Sequence, residues 1–165
     1  NTKLLYEMGW EGINIDISDF SIKLFNHLRP NDTNLNIAVS KTYGYIEMFY
    51  QKKISQLLTI KKEVANNVFQ GKIKSKKVQS KTLNDVLRES QYNKRKIDLL
   101  DIDVEGADLE LLQSLNFLKY SPELICVEYI GEDKENSEIF KLLTNKNYKH
   151  IWSGVFSHIF ERMQA

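Results

Sequence analysis

Between Gly12 and Val39 the chain changes its period twice. Ile13, Ile15 and Ile17 alternate with Asn14 and Asp16, the two-residue repeat of a strand. Asp19 is placed to cap a short helix carrying Phe20, Ile22, Leu24 and Phe25. Arg29-Pro30-Asn31-Asp32 reads as a turn, and Leu35 to Val39 is strand-like again. Two strands bracketing a helix within roughly 30 residues fit a βαβ crossover, which constrains the two strands to run parallel.

The rest of the chain extends that alternation. Thr2 is placed to cap an opening helix with Leu4, Leu5 and Met8 at helical spacing and Gly9 as its stop. Tyr43 to Tyr50 fits a strand or a hairpin arm, Glu63 to Phe69 a short helix, and Lys76 to Ser80 an edge strand. Thr82 caps a helix with Leu83, Val86 and Leu87. A strand at Ile97 to Ile102, a helix at Ala107 to Leu115, a strand at Leu124 to Tyr129 and a helix at Glu135 to Leu143 follow. Tyr148 to Trp152 and Val155 to Phe160 then form two strands joined through Ser153-Gly154, a hairpin. The prediction is an α/β fold with a doubly wound, mostly parallel sheet and a C-terminal antiparallel hairpin. A length of 165 residues suits a single domain spanning residues 1–165.

Composition narrows the class of function. A hydrophobic share of 42% and a charged share of 27% are those of a soluble globular protein. The net charge of +1 gives no electrostatic reason to expect nucleic acid. One cysteine, Cys126, excludes an internal disulfide and suits a reducing cytoplasm. No apolar run approaches the ~18 residues of a membrane span, and no signal peptide is visible. The expectation is a cytoplasmic protein with neither a membrane nor a nucleic-acid partner.

The chemistry concentrates in Asp101-Ile102-Asp103-Val104-Glu105-Gly106. Continued as a strand, this stretch would put Asp101, Asp103 and Glu105 on one face, at the carboxyl rim where open α/β sheets bind ligands. Three carboxylates so close call for a proton, a cation or a catalytic task. A structural reading stands beside this: Asp103 as a helix cap, Glu105 and Asp108 at the positive end of the next helix, and Gly106 as a tight turn. Asp16, near the end of the first strand, suits either a ribose diol or a strand-end carboxylate that helps cap the next helix. Ala38-Val39-Ser40 closes the following strand with side chains small enough to leave room for a flat base. Glu128 stands at another strand end, open to the same cleft or to solvent.

Other candidates have plainer readings. Cys126 fits a small core residue better than a nucleophile. His27, His150 and His158 lack metal-ligand spacing, although His150 and His158 can meet across the terminal hairpin; no metal ligand is assigned. Lysines 72, 74, 76, 77 and 81 suit a solvated loop and edge strand, or a grip on an acidic substrate or phosphate. Trp10, Tyr43, Tyr45, Phe49 and Tyr50 suit packing, or stacking on a sugar.

Four segments occur in a telling order: Gly9-Trp10-Glu11-Gly12-Ile13-Asn14-Ile15-Asp16, Asn36-Ile37-Ala38-Val39-Ser40, Thr82-Leu83-Asn84-Asp85-Val86-Leu87, and Ile97-Asp98-Leu99-Leu100-Asp101-Ile102-Asp103-Val104-Glu105-Gly106. Together, from about Gly9 to Glu128, they resemble the FkbM family of S-adenosylmethionine-dependent methyltransferases. The resemblance implies a class I, Rossmann-like methyltransferase fold and O-methylation of a hydroxyl on a sugar, polysaccharide or secondary metabolite. It implies that Asp16 holds the cofactor ribose, that Ala38, Val39 and Ser40 lie at the adenine, and that Asp103 and Glu105 border the methyl-transfer cleft. Asp103 or Glu105 is the expected base. Asp101 is grouped with the cofactor-binding residues, although many relatives are expected to carry Lys or another residue there. A second carboxylate is available to orient substrate or help hold a divalent cation.

The family's opening strand and glycine-rich loop are not in these residues, so the expected domain is truncated at its N-terminus. Two rival readings follow. One is a non-catalytic methyltransferase-like interaction module. The other is a different nucleoside-cofactor enzyme such as a dehydrogenase, against which stands the lack of a Gly-x-Gly-x-x-Gly fingerprint.

Overall fold

The computed structural model describes residues 2–52, 57–131, 133–134 and 136–164. Its contacts divide the chain into two units, one of residues 1–93 with 105–107 and one of residues 94–104 with 108–165. The class is mixed α/β, with six helices and three sheets among the described residues rather than one continuous sheet.

In the first unit, β1 (Ile13–Ile15), α2 (Asp19–Leu28) and β2 (Thr33–Leu35) form the expected parallel crossover, preceded by α1 (Lys3–Glu7). Asp32 aligns the pair, its two carboxylate oxygens accepting from the Gly12 amide and from Asn14 Nδ2, each at 2.9 Å. Two of the expected caps are corrected. Ser18, not Asp19, caps α2 by accepting from the Ser21 amide at 3.2 Å, while Asp19 pairs with Lys23 one turn on. The Thr2 hydroxyl caps nothing; it accepts from Arg29 Nη1 at 2.7 Å. Arg29 is buried between the rings of Tyr6 and Phe25, and a buried guanidinium needs every acceptor within reach.

The expected strand at Leu35 to Val39 is two strands in two sheets. After β2 the ladder stops, because the Asp16 carbonyl accepts from Asn36 Nδ2 (3.0 Å) where the next backbone amide would have donated. β3 (Ala38–Val39) then pairs in parallel with β5 (Lys74–Lys81), and β4 (Gly44–Tyr50) pairs antiparallel with β5 on its other side. β5 is therefore central in the order β3-β5-β4 only at Ser80 and Lys81, and over Lys76 to Gln79 it is the edge strand expected, pairing with β4 alone among the described residues. Phe49, Ala65 and Phe69 make a small core with Ile73, where α3 (Lys62–Val68) lies against β4. Thr82 caps α4 (Leu83–Glu89) as expected, accepting from the Asp85 amide at 3.1 Å.

The second unit is one four-stranded sheet with order β6-β7-β9-β8. β6 (Leu99–Ile102) and β7 (Leu124–Glu128) run parallel around α5 (Asp108–Ser114). β9 (Ser157–Arg162) pairs antiparallel with β7 and with β8 (Tyr148–Ser153), giving the expected C-terminal hairpin. Its turn is closed by the Gly154 amide donating to the Ser157 carbonyl. α6 (Glu138–Asn145) starts later than expected; Glu135, where that helix was placed to begin, lies outside the described residues. The alternation of β7 buries Ile125 and Val127 completely, and Leu112, Leu143 and Phe160 complete an apolar core without exposed surface. Tyr148 enters that core with its hydroxyl satisfied by the Pro122 carbonyl at 2.7 Å. No helix among the described residues is long and apolar enough to cross a membrane.

Candidate functional site

Asp16 follows directly on β1. Its Oδ1 accepts from the Ser18 amide at 2.7 Å, a local turn that fixes the carboxylate while Ser18 starts α2. Among the described residues Oδ2 accepts nothing, and the side chain is half-buried. This is a carboxylate held by one oxygen and open at the other. Asp16 thus organises the entry to α2 through one oxygen.

Ala38 is buried, and Val39 and Ser40 are half-buried. The Ser40 amide donates to the Lys81 carbonyl at 3.1 Å, so it extends the β3–β5 ladder and is not left to bind a base. The Ser40 hydroxyl lies 2.6 Å from that of Ser80, which in turn donates to the Thr42 carbonyl at 2.7 Å. These bonds hold the end of β3 rigidly against β5 and leave small side chains at the strand end.

The acidic stretch does not continue as a strand. β6 ends at Ile102, and Glu105 and Gly106 take φ values of +50° and +90°. Alternation is lost past Ile102, so Asp101, Asp103 and Glu105 do not project from one face of one strand. Each has its own setting. Asp101 lies within β6, opposite Cys126 of β7. Its Oδ1 is buried and has no hydrogen-bond partner among the described residues. Burial first, and then the Asp101 carboxylate, push the Cys126 thiol up to about 12, which keeps it protonated and unreactive. Asp103 is exposed just beyond the strand. Glu105 is half-buried in the turn, its carbonyl accepting from the Thr59 hydroxyl at 2.9 Å.

Gly106 is the residue that this turn cannot replace. Its φ is one that side chains disfavour, and an added Cβ would lie 2.8 Å from Val64 Cγ2. Asp108, which the sequence suggested only as a charge at a helix start, is buried, and its Oδ1 accepts from the Val104 amide at 3.2 Å. Glu128 ends β7 opposite Ser157, half-buried.

Sequence reasoning missed a polar cluster on the C-terminal hairpin. His150 and His158 do meet there, with ring centroids 5.7 Å apart. Ser153, which was not singled out, joins them: its Oγ is 3.0 Å from His150 Nε2 and 3.0 Å from His158 Nδ1, and it accepts from Lys134 Nζ at 2.9 Å. Burial, and then the Lys134 charge, hold the His158 imidazole below its ordinary value, so it is neutral at neutral pH. Strand alternation could have paired Ser153 with His158; nothing local points to Lys134. Among the described residues no group of three or more His, Cys, Asp or Glu is placed to hold a metal ion.

Against this geometry, the chain matches the family described as Methyltransferase FkbM domain over residues 1–150. No curated protein and no solved structure matches it.

Proposed function

The chain belongs to the FkbM methyltransferase family, and from that premise we propose that it is an S-adenosylmethionine-dependent O-methyltransferase of the cytoplasm, acting on a hydroxyl of a sugar, polysaccharide or secondary metabolite. The family match, over 150 of 165 residues, is the observation that carries this reading.

The polar groups of the chain suit such a cofactor. A ribose diol brings two hydroxyl donors, and Asp16 is a carboxylate oriented by Ser18 with Oδ2 unused. Ala38, Val39 and Ser40 supply small side chains on a rigid strand end, fit for a flat base. Asp101 offers a buried acceptor with no partner, and a buried acceptor of that kind costs stability unless a donor such as an ammonium group meets it. Bound S-adenosylmethionine supplies a methyl group already electrophilic enough for transfer to oxygen. What remains for the protein is to orient the acceptor and remove its proton.

Asp103 or Glu105 takes that proton at a carboxylate oxygen as the hydroxyl oxygen attacks. Asp103, exposed beyond β6, is the more accessible of the two. A second carboxylate orients the acceptor by accepting from a neighbouring hydroxyl. The reading is tested by incubating the protein with methyl-labelled S-adenosylmethionine and hydroxyl-bearing acceptors, and locating the label by mass spectrometry. Label on an acceptor oxygen is expected. Label on nitrogen or carbon, or none on any acceptor tried with a protein that binds cofactor, contradicts O-methylation.

A further inference from the structure

We propose that the lysines leading into and along β5 form a docking surface for an anionic glycan, the polymer that carries the acceptor hydroxyl. The inference rests on the methyl-transfer reading for that hydroxyl, and on the first unit alone for the surface.

Lys72, Lys74, Lys76 and Lys77 are all exposed, and among the described residues none has a carboxylate partner. Lys81, by contrast, is already paired with Glu89 at 2.6 Å and is not counted. Lys74, Lys76 and Lys77 lie on β5, and Lys72 leads into it. Among the described residues β5 is covered by β3 only at Ser80 and Lys81, and from Lys74 to Gln79 it pairs with β4 alone, leaving its other edge open. Lys74 and Lys76 point to one side of the strand and Lys77 to the other, and side chains of this length reach round an edge from either face. An extended polyanion along that edge would meet three cations within the roughly 10 Å from Lys74 to Lys77.

The far end of the strand gives the surface a direction. Ser80 and Lys81 are the residues that pair with Ala38 and Val39, and Ser80 bonds Ser40, so β5 runs from its free lysines to the proposed cofactor residues. Near that end the flat rings of Tyr43 and Tyr45 are 68% and 75% exposed. A sugar ring can lie on such a face, with the phenol hydroxyl left to bond its edge.

The observations favour a glycan over a nucleic acid. Glu47 stands directly opposite Lys77, exposed, with Oε1 held by the Ser75 hydroxyl at 2.6 Å. A fixed carboxylate there repels any anion, but it can accept from the hydroxyls that a glycan offers between its charges and that a row of phosphates lacks. The net charge of +1 also denies the chain the broad positive field on which nucleic-acid binding depends. Lysines on an open edge also discourage strand pairing between molecules. If that were their only purpose, they would bind no ligand.

The full chain should be titrated calorimetrically with an oligogalacturonate of defined length, with a neutral cello-oligosaccharide of equal length and with single-stranded DNA. Binding of the anionic glycan alone is expected, weakening as ionic strength rises from about 0.05 M to about 0.3 M. The triple variant Lys74→Gln, Lys76→Gln, Lys77→Gln should lose about tenfold in affinity. Because the three side chains are exposed, its melting temperature should match the parent's. No binding, equal binding of the neutral glycan, tighter binding of DNA, or an unaffected triple variant would each overturn the proposal. S-adenosylhomocysteine binding, measured on the same samples, reports the cofactor reading separately and should be unchanged in the triple variant.

Discussion

Asp16 and Asp101 are two carboxylates near the carboxyl ends of strands in parallel pairs, and their surroundings differ sharply. Asp16 is wired by its own neighbourhood: two residues on, the Ser18 amide takes one oxygen and leaves the other open. Asp101 is set by packing across the sheet, beside the Cys126 thiol, with an oxygen buried and unpartnered. The first is prepared at little cost, since a local turn satisfies it. The second is a liability in the absence of a donor. One strand end thus holds a ready acceptor, and the other carries a stored penalty that a ligand can relieve.

If the β6 end is where chemistry happens and the β1 end is where cofactor is held, variants should separate them. Asp103→Asn is expected to lower kcat by about 10²–10⁴-fold while leaving S-adenosylhomocysteine affinity nearly unchanged. Equal loss of turnover and affinity would move Asp103 into cofactor binding and erase the contrast.

A smaller effect concerns the turn after β6. Gly106→Ala combines a φ of +90° with a Cβ 2.8 Å from Val64 Cγ2, and should cost about 1–3 kcal/mol in denaturant unfolding. Gly12 has no atom within 4 Å of an added Cβ, so Gly12→Ala is the control and should change little. Equal stabilities would mean that the turn is not held as described.

These two positions show what could be read in advance. Gly106 follows three alternating acids, and the strand before it ends at Ile102, where the sequence placed its end. What alternation could not give was the turn beyond, where Glu105 and Gly106 take positive φ and the acids no longer share a face. The β1–α2–β2 crossover, the Thr82 cap and the terminal hairpin were legible because each is set by residues a few positions apart. The break at Asn36 was not, since it depends on a side chain reaching the Asp16 carbonyl twenty residues away. Nor was the position of β5, which is decided by its pairing with β3 some forty residues earlier. For the candidate site, the strand ends beside Asp16 and Asp101 were legible. The wiring of each carboxylate was not.

The smallest expected effect is on pH dependence. His158 is buried and held below its ordinary value of 6.5, so the unfolded chain binds a proton that the folded chain resists. Stability is therefore fully present above about pH 7 and declines as pH falls below the unfolded value. Thermal melts from about pH 7.5 to about pH 5 should show this decline, and His158→Phe should flatten it. An unchanged slope would place the acid sensitivity elsewhere. Ser153→Ala, which removes the hydroxyl shared with His150 and Lys134, should alter the midpoint without restoring a flat profile.

The most direct measurement is calorimetric titration of S-adenosylhomocysteine into the protein, alongside Asp16→Ala. Micromolar binding is expected, weakened about 10- to 100-fold by the substitution, as suits loss of a charged hydrogen-bond acceptor. A folded protein that binds none, or an Asp16→Ala variant that binds as tightly as the parent, would contradict the assignment of the β1 strand end as the cofactor's anchor.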